Sequence, residues 1–136
     1  MPTFQLSLVS PESLLFSDQV DQVDVPGVEG DFGVLSGHAP IVAIIRPGIV
    51  TAIVGNTTEK FVVLGGLAEF SGEQLTILAD SASSVEDFDV AGLRSKIEEL
   101  QQSLEKQPAG NELDRAIALL DHYKSIHVTL APATAF

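Results

Sequence analysis

Ser36, His38 and Asp31 are the residue types of a hydrolytic triad, and all three fall within one short segment. A serine hydroxyl beside an imidazole that a carboxylate orients could attack an acyl carbon. The local sequence argues against that use. Ser36 is not the centre of a Gly-x-Ser-x-Gly elbow, and no strand-to-helix pattern surrounds it. Turn or partner hydrogen bonds are the simpler employment for Ser36 and His38. No catalytic residue is assigned.

Two glycine series could cradle a phosphate. Gly27, Gly30 and Gly33 miss the spacing of the dinucleotide fingerprint, and no crossover helix follows them. Gly65-Gly66 lacks the Lys and Ser/Thr of a phosphate loop. Both series are expected to form turns. No metal site is expected. His38, His122 and His127 are scattered, and Asp18, Asp21 and Asp24 are three apart in a strand-like segment, which is not a calcium loop. Those acids read as a solvated face. The chain has no cysteine, so disulfides and thiolate sites are excluded.

The formal charge is −12. Residues 1–86 hold only two basic residues, Arg46 and Lys60, so the net negative charge is concentrated there. Such a surface is unsuited to nucleic acid and to anionic lipid, and fits a basic protein partner. No apolar run reaches the length of a membrane span, so direct insertion is not expected. The first residues lack a secretory leader pattern and no arginine precedes Arg46, so neither a signal nor a transit segment is expected.

The elements that must position these residues fall into two sets. At 45% hydrophobic and 19% charged, the chain has enough apolar material for a packed core. Up to Glu86 it reads as β-structure. Phe4, Leu6 and Leu8 alternate with polar neighbours, Val20, Val23 and Val25 mark a second strand, and Ile41–Ile45, Ile49–Val54, Phe61–Leu64, Leu67–Phe70 and Leu75–Ala79 follow. Turn signals stand between them, including Pro47-Gly48, Gly55-Asn56, Gly65-Gly66 and Ser71-Gly72. An antiparallel β-sandwich over residues 1–86 is expected.

From Asp89 the apolar period lengthens. Val90, Leu93, Ile97, Leu100 and Leu104 form one helical stripe. Asp87 or Asp89 is suited to cap it, and Pro108-Ala109-Gly110 stops it. Asn111 opens a second helix with Leu113, Ala116, Ile117, Leu120 and Tyr123 on its stripe. An antiparallel helical hairpin is expected over residues 87–136, with a short, loosely held tail from His127.

The segment Glu-Gly-Asp-Phe-Gly-Val-Leu-Ser-Gly-His-Ala-Pro, residues 29–40, closely resembles the signature loop of the F-type ATP synthase epsilon subunits of bacteria. Val9-Ser10-Pro11-Glu12 with Phe16, Arg46-Pro47-Gly48, Gly65-Gly66 and Leu75-Thr76-Ile77-Leu78-Ala79-Asp80 extend the resemblance over residues 4 to about 86. The hairpin resembles the family only in architecture.

The resemblance implies a non-catalytic rotor subunit of the central stalk. It would couple c-ring rotation, driven by ion translocation, to ATP synthesis in the F1 head. It would be peripheral, at the cytoplasmic face of the bacterial plasma membrane. By the same resemblance Glu29, Gly30 and Asp31 would face the c-ring, and Ser10, His38 and Ala43 the gamma subunit. An extended hairpin would reach the alpha/beta catalytic head and restrain ATP hydrolysis. Many relatives bind ATP through Ile-Asp-x-x-Arg-Ala at the start of the first helix. Here the stretch is Phe88-Asp89-Val90-Ala91-Gly92-Leu93. Gly92 replaces the arginine that would meet a phosphate, and Leu93 the alanine. Gly92 also costs the helix about 1 kcal/mol relative to Ala. ATP binding is expected to be weak or absent, with no other cofactor, and inhibition by so cation-poor a hairpin is expected to be weak.

The sequence also admits two other readings. A β-sandwich adaptor dimerised by its hairpin would show a concentration-dependent dimer, and a small hydrolase would lose activity with His38→Ala.

Overall fold

The computed structural model describes residues 2–130. The chain divides into two compact units, the first ending at Asp87 and the second beginning at Phe88.

The first unit has eight strands: β1 (Phe4–Val9), β2 (Leu14–Val20), β3 (Gln22–Val25), β4 (Phe32–Leu35), β5 (Ile41–Val54), β6 (Thr57–Ser71), β7 (Gln74–Ala79) and β8 (Ala82–Ser84). Their order is β2-β1-β7-β6-β5-β3-β4, with β8 pairing to β6. Every pairing is antiparallel except β1 with β7. The sheet closes over one core, as the alternation in β1 requires. Phe4, Leu6 and Leu8 are buried with Val23, Val50, Phe70 and Ile77. Phe4 and Phe70 meet edge to face at 5.5 Å. The expected β-sandwich is present.

Its connections differ from the expectation at several points. Pro47-Gly48 and Gly65-Gly66 are not turns. β5 and β6 run through them as one long hairpin, with Pro47 opposite Leu64. The breakers instead mark where hydrogen-bond partners change. Arg46 N–H donates to Pro26 O, and Leu64 N–H to Ser81 O. Residues 61–63 of β6 pair with β8, whereas residues 66–71 pair with β7. A strand that changes partners in this way turns a corner of the core.

The expected second strand is two strands. β2 pairs with β1, and β3 with β4 and β5. They separate at Asp21, whose N–H bonds Ile53 O and whose carboxylate accepts Gly55 N–H. Leu14, Leu15 and Phe16 belong to β2 although none is fully buried, so its first half carries little alternation. Gly33 is a residue of β4, not a turn.

The second unit is a pair of packed helices, α1 (Val90–Leu104) and α2 (Asn111–Leu130). Asp89 caps α1 by accepting Gly92 N–H at 2.9 Å. Leu93, Ile97, Leu120, Ile126 and His127 are buried. Ile117 was expected on the buried stripe but is exposed, because Ala116 and Leu120 set the inward face. α2 also continues through His127 to Leu130 where a loose tail was expected. Burial of Ile126 and His127 holds that last turn in place. The remainder of the expected tail, 131–136, lies outside the described residues. Among the described residues, no helix is long and apolar enough to cross a membrane.

Candidate functional site

The triad residues do not assemble, because each has another partner. Asp31 pairs with Arg46, Nη2 to Oδ1 at 2.5 Å. Ser36 Oγ donates to Glu73, and His38 Nδ1 lies 2.6 Å from Ala39 O. Among the described residues no group of three or more His, Cys, Asp or Glu is placed to hold a metal ion.

What the loop from Pro26 to Pro40 builds is a shaped surface with two parts. The first is a tight excursion between β3 and β4. Gly27 bridges to Ile45, Val28 N–H bonds Ile44 O, and Gly30 N–H closes back on Gly27 O. A Cβ on Gly27 would come within 2.5 Å of Gly30 O, so the turn needs glycine there. Glu29 and Gly30 project at its tip, and the Glu29 carboxylate has no partner among the described residues. Beneath the tip lies an open groove of about 300 Å³ between Gly27, Phe32 and Ile41–Ile44.

The second part is the turn Ser36-Gly37-His38. Glu73, in the β6–β7 turn, accepts Ser36 O–H on one carboxylate oxygen and Gly37 N–H on the other. These two bonds, the Ser36 one foremost, hold the Glu73 carboxyl below its ordinary range. The His38 ring meets Phe70 edge-on at 5.8 Å.

Ser10 lies apart from this turn, and Ala43 stands two residues along β5 from Ile41, the partner of Phe70. Ser10 follows β1, where its N–H bonds Ser13 O. β1 runs parallel to β7, so Ser10 and His38 sit near opposite ends of β7. Ala43 is half-buried opposite Ala68, on the core-facing row of β5.

Between those ends lies a feature that sequence reasoning missed. Ile44 of β5 is opposite Leu67 of β6, Leu67 is opposite Leu78 of β7, Leu78 is opposite Val9 of β1, and Val9 is opposite Leu14 of β2. This apolar row crosses five strands, roughly 20 Å at strand spacing. Ile44 is 65% exposed, Leu14 61%, Leu78 52% and Leu67 37%. Val42 and Val28 lie beside it, also exposed. A contiguous outward apolar row of this kind is a candidate contact surface. Its signal was the unbroken apolar run Ile41–Ile45, which makes both faces of β5 apolar where alternation would leave one polar.

In the second unit, the stretch Phe88, Asp89, Gly92 and Leu93 is occupied with helix structure. The Asp89 carboxylate is spent on the cap, and a Cβ on Gly92 would lie 2.4 Å from it. Leu93 is buried and Phe88 half-buried. Arg94 is exposed beside Glu98.

Residues 3–85 match the family described as ATP synthase, Delta/Epsilon chain, beta-sandwich domain. The chain is 67% identical over its full length to ATP synthase epsilon chain 2 of Nitrobacter hamburgensis, with that chain also fully covered. It is 57% identical to the epsilon chain of Afipia carboxidovorans, over 95% of this chain and 96% of that one. A chain of the Euglena gracilis mitochondrial ATP synthase, solved with OSCP, F1 and c-ring, shares the fold. The TM-score is 0.68 at 23% identity, covering 98% of this chain and 80% of that one.

Proposed function

The chain belongs to the ATP synthase delta/epsilon family, and on that premise we propose that it is the non-catalytic epsilon-type subunit of the central stalk, turning with the c-ring. The observation that carries this is the exposed apolar row from Ile44 to Leu14, a surface built to be covered by another protein. Its occupant is the gamma subunit, with Ser10 and His38 at or near the margins of that contact and Ala43 supporting it from the core-facing row of β5. The acidic tip Glu29-Gly30-Asp31 meets basic loops of the c-ring.

The mechanism is mechanical. The tip joins the gamma face through backbone hydrogen bonds, Val28 N–H to Ile44 O and Arg46 N–H to Pro26 O, so torque applied at one is resisted at the other. No side chain performs covalent chemistry. The chain is held peripherally, through F1, at the cytoplasmic face of the bacterial plasma membrane.

The hairpin is the regulatory part. Asp89 is a helix cap and Gly92 offers no guanidinium, which supports weak or absent ATP binding. Arg94, Lys96, Lys106, Arg115 and Lys124 are its cations. So few make a weak clamp on the alpha/beta head when the hairpin is extended.

Co-purification tests the reading. The tagged chain is expected to retain gamma and the c-ring from membranes of its source. Recovery of a self-associated dimer without gamma would refute it.

A further inference from the structure

Glu73 is the one non-glycine with positive φ among the described residues, at 60°, and its neighbour Gly72 has the same value. Two positive φ values in a two-residue hairpin loop are the type I′ pattern, which glycine, asparagine and aspartate fill with least strain. A glutamate is a poor choice for that backbone. The hairpin itself does not ask for one, since Ser71 and Gln74 pair on either side whichever residue fills the turn.

The side chain is where glutamate is used. Both carboxylate oxygens are engaged, by Ser36 O–H and by Gly37 N–H at 2.8 Å. Gly37 has φ 85°, so the bonds fasten a turn at its most permissive residue. The far side of the same turn is braced by the His38 ring on Phe70, three residues before Glu73 in sequence. Local strain kept at a position whose side chain fastens a surface loop points to function.

We propose that Glu73 is a positioning residue for subunit assembly: its carboxylate fixes the Ser36–His38 turn in the orientation that meets the gamma subunit. This rests on the reading of His38 as part of the gamma contact.

Two variants of the full chain test it. Glu73→Gly relieves the backbone and removes both acceptors. Gly37 amide exchange should accelerate, and affinity for F1 depleted of this chain should fall about tenfold, the scale of losing hydrogen bonds to a charged group. The thermal midpoint should hold or rise. Glu73→Gln keeps one acceptor oxygen and should fall between the two in both measurements. Wild-type Gly37 exchange in Glu73→Gly would overturn the clamp. Faster exchange with unchanged F1 affinity would overturn the positioning role. Failure of the unaltered chain to bind F1 would instead overturn the functional reading, and Gly37 exchange would still report on the clamp.

Discussion

Arg46 and Asp31 close the base of the tip loop with an ion pair between residues fifteen apart in sequence. Arg46 sits on β5 and also donates to Pro47 O, so the pair ties the loop to the long hairpin. The consequence is electrostatic. Arg46 is one of only two basic residues in the first unit, and it takes Asp31 as its partner. Glu29 is left as the tip's unpaired acid.

Glu29→Gln is therefore expected to lower affinity for a detergent-solubilised c-ring several-fold and to flatten its salt dependence. Asp31→Asn should change that affinity less. Its effect on folding stability should stay within about 1 kcal/mol, because the Asp31 side of the pair is largely exposed. Titrations at low and high salt separate the two. A larger loss with Asp31→Asn would show that the tip presents Asp31 instead.

The apolar row gives the second expectation. Ile44 is exposed, so Ile44→Asp should shift stability by no more than about 1 kcal/mol. Affinity for gamma should fall at least about tenfold, because a charge would be buried in an apolar contact. Chemical denaturation and pull-down of gamma read the two effects independently. A folded variant with undiminished gamma binding would remove the row from the interface.

The positions where the sequence was legible and where it was not divide on physical grounds. β1 and both helices could be read because one face of each is mainly apolar and the other mainly polar, so period reveals them, and β7 could be read as a short apolar run between turn signals. Pro47-Gly48 and Gly65-Gly66 were misread because a breaker within a long strand looks, locally, like a breaker between two strands. What decides is whether the neighbours exchange hydrogen bonds, and those neighbours, Pro26, Asp80 and Ser81, are distant in the chain. The clamp from Glu73 to Ser36 is hidden for the same reason, since nothing near either residue announces the other. The tip loop was legible by resemblance, but the partner of Asp31 was not.

The corner at Gly66 can be tested by contrast with its neighbour. Gly66 has φ 148°, and a Cβ there would lie 2.3 Å from Leu78 O, which is backbone and cannot swing aside. Gly65 has φ 101°, but its nearest neighbour is the Asp80 side chain at 3.0 Å. Gly66→Ala should cost more than about 2 kcal/mol, and Gly65→Ala distinctly less. Urea midpoints of the two variants give the order. Equal losses would mean that backbone strain alone, not the close approach, sets the cost.

The Glu73 clamp carries a pH dependence with a defined sign. Its folded-state pKa is lowered by Ser36 and then Gly37. The stabilisation is therefore fully present above 4.5, the ordinary value, and is lost as pH falls through the lowered one. The groups facing it, Ser36, Gly37 and the Gln5 backbone, do not titrate in that range. The Glu73 side-chain carboxyl resonance should titrate below 4.5 in the native chain and move up towards 4.5 in Ser36→Ala. An unchanged titration in that variant would deny Ser36 its part.

Asp89 separates a structural from a nucleotide-binding use of the hairpin's first turn. As a cap, it bonds Gly92 N–H through one carboxylate oxygen. Asparagine caps about as well as aspartate, whereas alanine forfeits about 1 kcal/mol. If capping is its role, Asp89→Ala should lower the stability of the helical unit by that amount and Asp89→Asn should not. Neither variant should respond to ATP differently from the unaltered chain. If Asp89 instead serves a bound nucleotide, millimolar ATP should raise the melting midpoint of the unaltered chain by mass action. Both substitutions should then abolish the rise. Helical circular dichroism, followed through thermal unfolding with and without ATP, distinguishes these patterns in one set of measurements. The cap geometry at Gly92 leads to the first.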